Sequence, residues 1–168
     1  MSDDIARRLL EVSELRGDFV LSSGKRSSVY FDKFRFLTDP HLLKETAGAI
    51  ARLIPPRVTH LAAPEGAATL LVAAVALETG RRIVVVRKQA KAYGTRSLVE
   101  GEAPEGAEIA LIEDVSTTGT QVLAAAKALE EAGCRIALIV LAIDRGGAEA
   151  LGEAGYDVAT VAQVRASD

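Results

Sequence analysis

Aromatic residues make up only 4% of the 168-residue chain, and tryptophan is missing altogether. Hydrophobic residues nonetheless reach 49%, so the core of this one expected domain (1–168) must be built mainly from Ala, Val, Leu and Ile. Cys134 is the only cysteine, which excludes an intrachain disulfide and suits a reducing cytoplasm. Two histidines beside that single thiol argue against a zinc site. No apolar run approaches the roughly 18 residues of a membrane span. The charged opening MSDDIARRLL is unlike a secretory signal. Positive charge is not in excess either. A net charge of −3 and a pI near 5.5 argue against a general nucleic-acid-binding surface, while leaving room for a local cationic site. Repeats, low-complexity segments, a G-x-x-x-x-G-K-[ST] loop and a G-x-G-x-x-G turn after a strand are also missing.

What is present is an alternation. Apolar residues at helical spacing over 3–15 predict a helix, and GDFVLSSGKRSSVYFDKFRF (17–36) reads as two short strands around a Gly/Ser turn. The Asp39-Pro40 start predicts a helix over 38–54. Strands are then expected at 58–63, 82–87, 108–115, 135–144 and 157–164, and helices at 66–80, 118–133 and 147–155. Near-continuous apolar strands separated by helices imply an α/β fold: an open parallel sheet covered by helices on both faces. About twenty residues between Arg87 and Glu108 have no helical pattern, and a loop that long inside a compact domain is usually functional or disordered.

The chemistry concentrates in IEDVSTTGTQV (112–122). Glu113 and Asp114 end an apolar run, where ligands bind in open α/β sheets. Ser116, Thr117, Thr118, Gly119 and Thr120 then form a turn into a helix, whose free N–H groups and dipole suit a phosphate. Carboxylates would repel that phosphate, so they make sense for another part of the ligand, such as a ribose diol or a metal. A polar strand end with a Thr N-cap is the structural alternative. Arg87, Lys88, Lys91 and Arg96 gather in RKQAKAYGTR with no acid among them. Such a segment could neutralise a pyrophosphate and exclude water, or be simply a solvated charged loop.

IALIEDVSTTGT resembles the phosphoribosyl-diphosphate (PRPP) motif of the type I phosphoribosyltransferases. The resemblance implies that Glu113 and Asp114 hold the ribose hydroxyls and that Ser116 to Thr120 bind the 5-phosphate. RKQAKAYG is similar to the catalytic loop of the orotate phosphoribosyltransferase family, which narrows the match. It implies Arg87, Lys88 and Lys91 as PRPP-binding and, with Asp114, catalytic residues. It further implies a homodimer in which Lys91 serves the partner's site, a flexible loop over about 88–107, and Mg²⁺ carried by the PRPP pyrophosphate and ribose. FVLSSGKRSSVYFDKFRFLTDP looks like the family's hood segment (about 17–36), which would set Tyr30 and Phe31 against the pyrimidine. The alternative there is a plain hairpin with a satellite aromatic cluster. IDRGG (143–147) resembles the family's Asp-Arg pair, so Arg145 would meet the orotate carboxylate with Thr117 beside the base, a structural salt bridge being the alternative.

Two positions depart from the family pattern. After the strand at 58–63, the usual glycine-rich pyrophosphate turn is replaced by APEGAA, where Pro64 removes a donor and Glu65 adds negative charge. Either the turn is rebuilt around Gly66, Ala67 and Ala68, or pyrophosphate binding is weakened. Many members also carry a lysine where this chain has Ser22, leaving Lys25 or Arg26 as substitutes. The implied activity is formation of orotidine 5'-phosphate from PRPP and orotate in the cytoplasm. Transfer to another base and non-catalytic PRPP sensing are the alternatives. Arg145 argues against a neutral purine, and the basic loop argues against a mere sensor.

Overall fold

The structure, a computed structural model, describes residues 2–20, 24, 26–89 and 97–164. Helix α1 (Ser2–Ser13) leads into a separate antiparallel hairpin, β1 (Glu14–Val20) and β2 (Arg26–Phe31), paired from Glu14↔Phe31 to Val20↔Arg26. A short helix α2 (Phe34–Leu37) follows where the strand pattern alone would continue. The strand stops because the Asp32 carboxylate accepts the Phe34 N–H at 3.0 Å, and because Phe36 and Leu37 are drawn into the core. Asp39 then caps α3 (Pro40–Leu53), accepting the N–H groups of His41 and Leu42 at 2.9 Å, with Pro40 in the first turn.

The main sheet and its helices alternate as expected. They run β3 (His60–Pro64), α4 (Ala68–Thr79), β4 (Arg82–Val86), β5 (Val99–Glu100), β6 (Glu108–Ser116), α5 (Thr120–Glu131), β7 (Arg135–Asp144), α6 (Gly147–Glu153) and β8 (Val158–Gln163). Spatially the order is β5-β4-β3-β6-β7-β8. Every pairing is parallel except β4–β5, so the sheet is mixed rather than purely parallel. The exception is a two-residue strand inside the segment expected to be a flexible loop. Two residues carry too little pattern to be read as a strand.

Helices cover both faces, which is why the central strands read as unbroken apolar runs. Ala110 and Ile112 of β6 pack with Leu9, Ile50 and Leu71 of α1, α3 and α4. Ile109 and Leu111 face the other way, toward Leu129 of α5 and Leu151 of α6. From β3 the chain goes to β4 on one side, then returns to β6 on the other. This reversal opens a crevice beyond the carboxyl ends of β3 and β6, where an open α/β sheet takes its ligand. Among the described residues no helix is long and apolar enough to cross a membrane.

Candidate active site

A cavity of about 510 Å³ occupies that crevice, bounded by Pro64 at the end of β3, Arg87 and Lys88 after β4, and the whole run Glu113–Thr120. Glu113 and Asp114 are buried, with 5% and 1% of their surface exposed. Burial and the adjacent Asp114 charge push the Glu113 carboxyl from 4.5 up to about 8, so at neutral pH it is mostly uncharged. Its Oε1 accepts the Asp114 N–H at 3.1 Å, and Asp114 Oδ1 accepts the Val115 N–H at 2.6 Å. One cation reaches the pair. Lys33, which precedes α2, places its ammonium 3.2 Å from Asp114 Oδ1, as a hydrogen bond, and 3.1 Å from Oδ2.

Beyond the acids the chain enters α5 through Gly119, whose φ of +74° lies in the left-handed region. Gly119 supplies no side-chain cap, and Thr118 Oγ1 accepts only the Thr120 N–H, at a long 3.4 Å, so the first turn of α5 keeps N–H donors for an anion. The hydroxyls of Thr118 and Thr120 stand 3.0 Å apart at the same turn. Ser116 and Gly147 fix this turn against the one after β7: a Cβ on Gly147 would fall 2.0 Å from Ser116 Oγ. The Arg145 N–H donates to the Ser116 carbonyl at 2.8 Å. Asp144, 1% exposed, accepts the N–H groups of Gly146 and Ala148, so the acid of the Asp-Arg pair is a cap that holds the turn in shape.

Arg145 stacks over the ring of Phe31, 4.7 Å from its centroid, joining the hairpin to this end of the sheet. Alternate strand residues face opposite sides, so Tyr30 points away from Phe31 and pairs instead with Phe19, ring centroids 5.5 Å apart. The structure therefore brings Phe31, Arg145 and the Ser116–Thr117 turn together and sets Tyr30 on the other hairpin face. Arg26, one candidate for the missing hood lysine, is engaged with Asp18 across the hairpin. Lys91 and Arg96, together with Ser22 and Lys25, lie outside the described residues.

Glu65 does not project its charge into the cavity. Its Oε1 accepts the Lys88 N–H at 2.7 Å and its Oε2 lies 3.9 Å from Arg87 Nη2. The acid of the unusual APEGAA turn is thereby spent on the root of the basic segment. Sequence reasoning missed this pairing, and it missed Lys33. The only signal for Lys33 was a lysine directly after the hood acid in FDKF, with its partner 81 positions away.

This sheet order, with its reversal between β3 and β6 and its crevice over the β6–α5 turn, is the fold of the type I phosphoribosyltransferases. The chain is 43% identical to an orotate phosphoribosyltransferase of Thermococcus gammatolerans over 169 residues, 96% of this chain and 89% of that one. It is 41% identical to an orotate phosphoribosyltransferase of Halobacterium salinarum, covering 99% and 95% of the two chains. The crystal structure of orotate phosphoribosyltransferase from Aeropyrum pernix superimposes with a TM-score of 0.81 at 31% identity, over 95% of this chain and 93% of that one. No family model matches the chain. The chain belongs to the orotate phosphoribosyltransferase family.

Proposed function

We propose that the chain is an orotate phosphoribosyltransferase, forming orotidine 5'-phosphate and pyrophosphate from PRPP and orotate. The observation that carries this reading is the meeting, in one crevice, of two buried carboxylates and an uncapped helix N-terminus on the same strand–turn–helix. Glu113 and Asp114 would accept hydrogen bonds from the ribose hydroxyls. Ser116, Thr117, Thr118, Gly119 and Thr120 would hold the 5-phosphate. Arg87 and Lys88, at the same cavity, would face the pyrophosphate with Lys91. Arg145, held flat by Phe31, would pair with the orotate carboxylate, with Thr117 next to the base and Tyr30 on the outer hairpin face.

In the reaction the orotate ring nitrogen bonds to C1 of the ribose and gives up its proton, to water or to the departing pyrophosphate oxygens, while the bond from C1 to pyrophosphate breaks. The protein's work is positioning and charge stabilisation at a ribose that develops oxocarbenium character. Asp114 sits where that positive character is favoured, while the cations at the root of the basic segment favour the leaving group. Mg²⁺ would travel on the oxygens of the PRPP pyrophosphate and ribose, neutralising part of the leaving charge.

The reading includes a homodimer, with Lys91 serving the partner's site, and a cytoplasmic setting compatible with the lone Cys134. An exposed apolar stripe on α4, with Leu70 44% and Leu77 90% exposed, supports a second copy as neighbour. The test is to mix the protein with PRPP, Mg²⁺ and orotate and follow orotate absorbance. Loss of absorbance is expected, and Lys91→Ala should cut its rate strongly. PRPP binding without any loss would overturn the reading in favour of another base or a sensor.

A further inference from the structure

We infer that Lys33 is a positioning residue for the ribose site: its ammonium fixes the Asp114 carboxylate and locks the hairpin to the crevice in one contact. This rests on the activity proposed above. Asp114 is 1% exposed, and a buried carboxylate needs compensation. Among the described residues Lys33 is the only cation ion-paired with either member of the acid pair. The ammonium lies beside both oxygens, at 3.2 Å from Oδ1 and 3.1 Å from Oδ2, which fixes the plane of the carboxylate. Oδ1 is also tied to the Val115 N–H, whereas the buried Oδ2 meets the ammonium but takes no hydrogen bond from the protein. Asp114 lines the cavity, and Lys33 sets the plane its carboxylate presents there.

Lys33 is itself held. The Asp32 N–H donates to the Ser13 carbonyl at 2.9 Å, and the helix after Lys33 is anchored by Phe36 and Leu37, 0% and 1% exposed. The lysine thus leaves a rigid point at the foot of the hairpin and spans to β6. Phe31, two residues earlier, makes the other link through Arg145. Occupancy of the ribose site and placement of the hairpin over the base are therefore coupled through Lys33.

Lys33→Met and Lys33→Arg separate this role from a merely structural one. The Met variant should raise the KM for PRPP roughly tenfold or more, as expected when a charged group loses its hydrogen-bonding partner. Its kcat should change less than its KM, and its melting temperature should fall by a few degrees, because Asp114 is left buried without its counter-charge. Arg should restore most of the loss, since the positive charge survives. The pH dependence of the PRPP KM should move to higher pH in Lys33→Met, because the buried Glu113 carboxyl then loses the Lys33 charge that holds its pKa down, while Arg87 and Lys88 stay in place. An unchanged PRPP KM and pH profile would overturn the inference. So would a parallel fall in kcat, orotate affinity and melting temperature that Arg does not rescue. Calorimetric PRPP binding to the wild type and both variants keeps the test independent of turnover. If orotate is never consumed, the activity reading fails, yet a PRPP affinity that ignores Lys33 would still refute this one.

Discussion

Replacing Glu113 by Gln should make the protein more stable, by an amount that grows from about pH 4.5 and levels off above about pH 8. The Glu113 carboxyl titrates at about 8 in the fold against 4.5 as an ordinary side chain, because burial and Asp114 both disfavour its charge. Between those values the folded state holds a proton that the unfolded chain has released, so stability falls as pH rises through the window. At about 1.36 kcal/mol per pH unit, the span sets a ceiling of about 5 kcal/mol on the cost of ionising Glu113 in the fold. Gln keeps the shape and the oxygen that accepts the Asp114 N–H, but carries no charge at any pH. Urea unfolding of wild type and Glu113→Gln at about pH 5 and about pH 9 should therefore diverge, with near equality in acid and a gain of a few kcal/mol in base. Above about pH 8, where the wild-type group is ionised, PRPP affinity should fall in the same variant, since a neutral amide accepts the ribose hydroxyls less strongly than a carboxylate. An equal stability difference at both pH values would refute the reasoning.

Two further substitutions test the turns around the crevice. Gly147→Ala would drive a methyl to 2.0 Å from Ser116 Oγ and should cost roughly 1–3 kcal/mol in urea unfolding. Gly152→Ala in the same helix meets nothing within 4 Å, so it should be neutral or stabilising; equal losses at both positions would refute the packing account. Phe31→Leu keeps apolar bulk but removes the ring beneath Arg145. It should raise the orotate KM about two- to fivefold, the equivalent of about 0.5–1 kcal/mol, with the PRPP KM unchanged. Matched changes in both KM values would count against a role confined to the base.

Much of the architecture was legible because burial on both faces leaves little choice of residue. β6 and β7 announce themselves as apolar runs, Pro40 marks the start of α3, and Gly80 closes α4 in the left-handed conformation. The acid pair and its turn were legible for the opposite reason, since charges and hydroxyls at the end of such a run contradict burial unless they serve a ligand. What could not be read depends on distance. Lys33 and Asp114 meet only once hairpin and sheet have packed, and no local pattern encodes a contact across 81 positions. The outcome at Glu65 was open for the same reason. Its charge is a liability or a support depending on whether the Lys88 N–H and Arg87 lie within reach, and the structure places both there. Tyr30 and Phe31 differ through strand alternation, but which of them faces Arg145 is settled by how the hairpin docks.

The small strand β5 has a consequence for how this enzyme family can vary. The Arg87 N–H donates to the Leu98 carbonyl at 2.7 Å, and Val86 pairs with Val99, so the basic segment leaves and rejoins the sheet at adjacent points. Gly101 secures the return: with φ at +99°, a Cβ there would sit 2.8 Å from the Ile83 carbonyl. The two feet are tied to each other at the edge of the sheet. Doubling the length of a flexible connection between fixed feet costs only about 0.6 kcal/mol of closure entropy. Its residues can therefore be exchanged, added or removed to suit the chemistry while the sheet stays as it is, leaving turnover and fold stability open to separate adjustment.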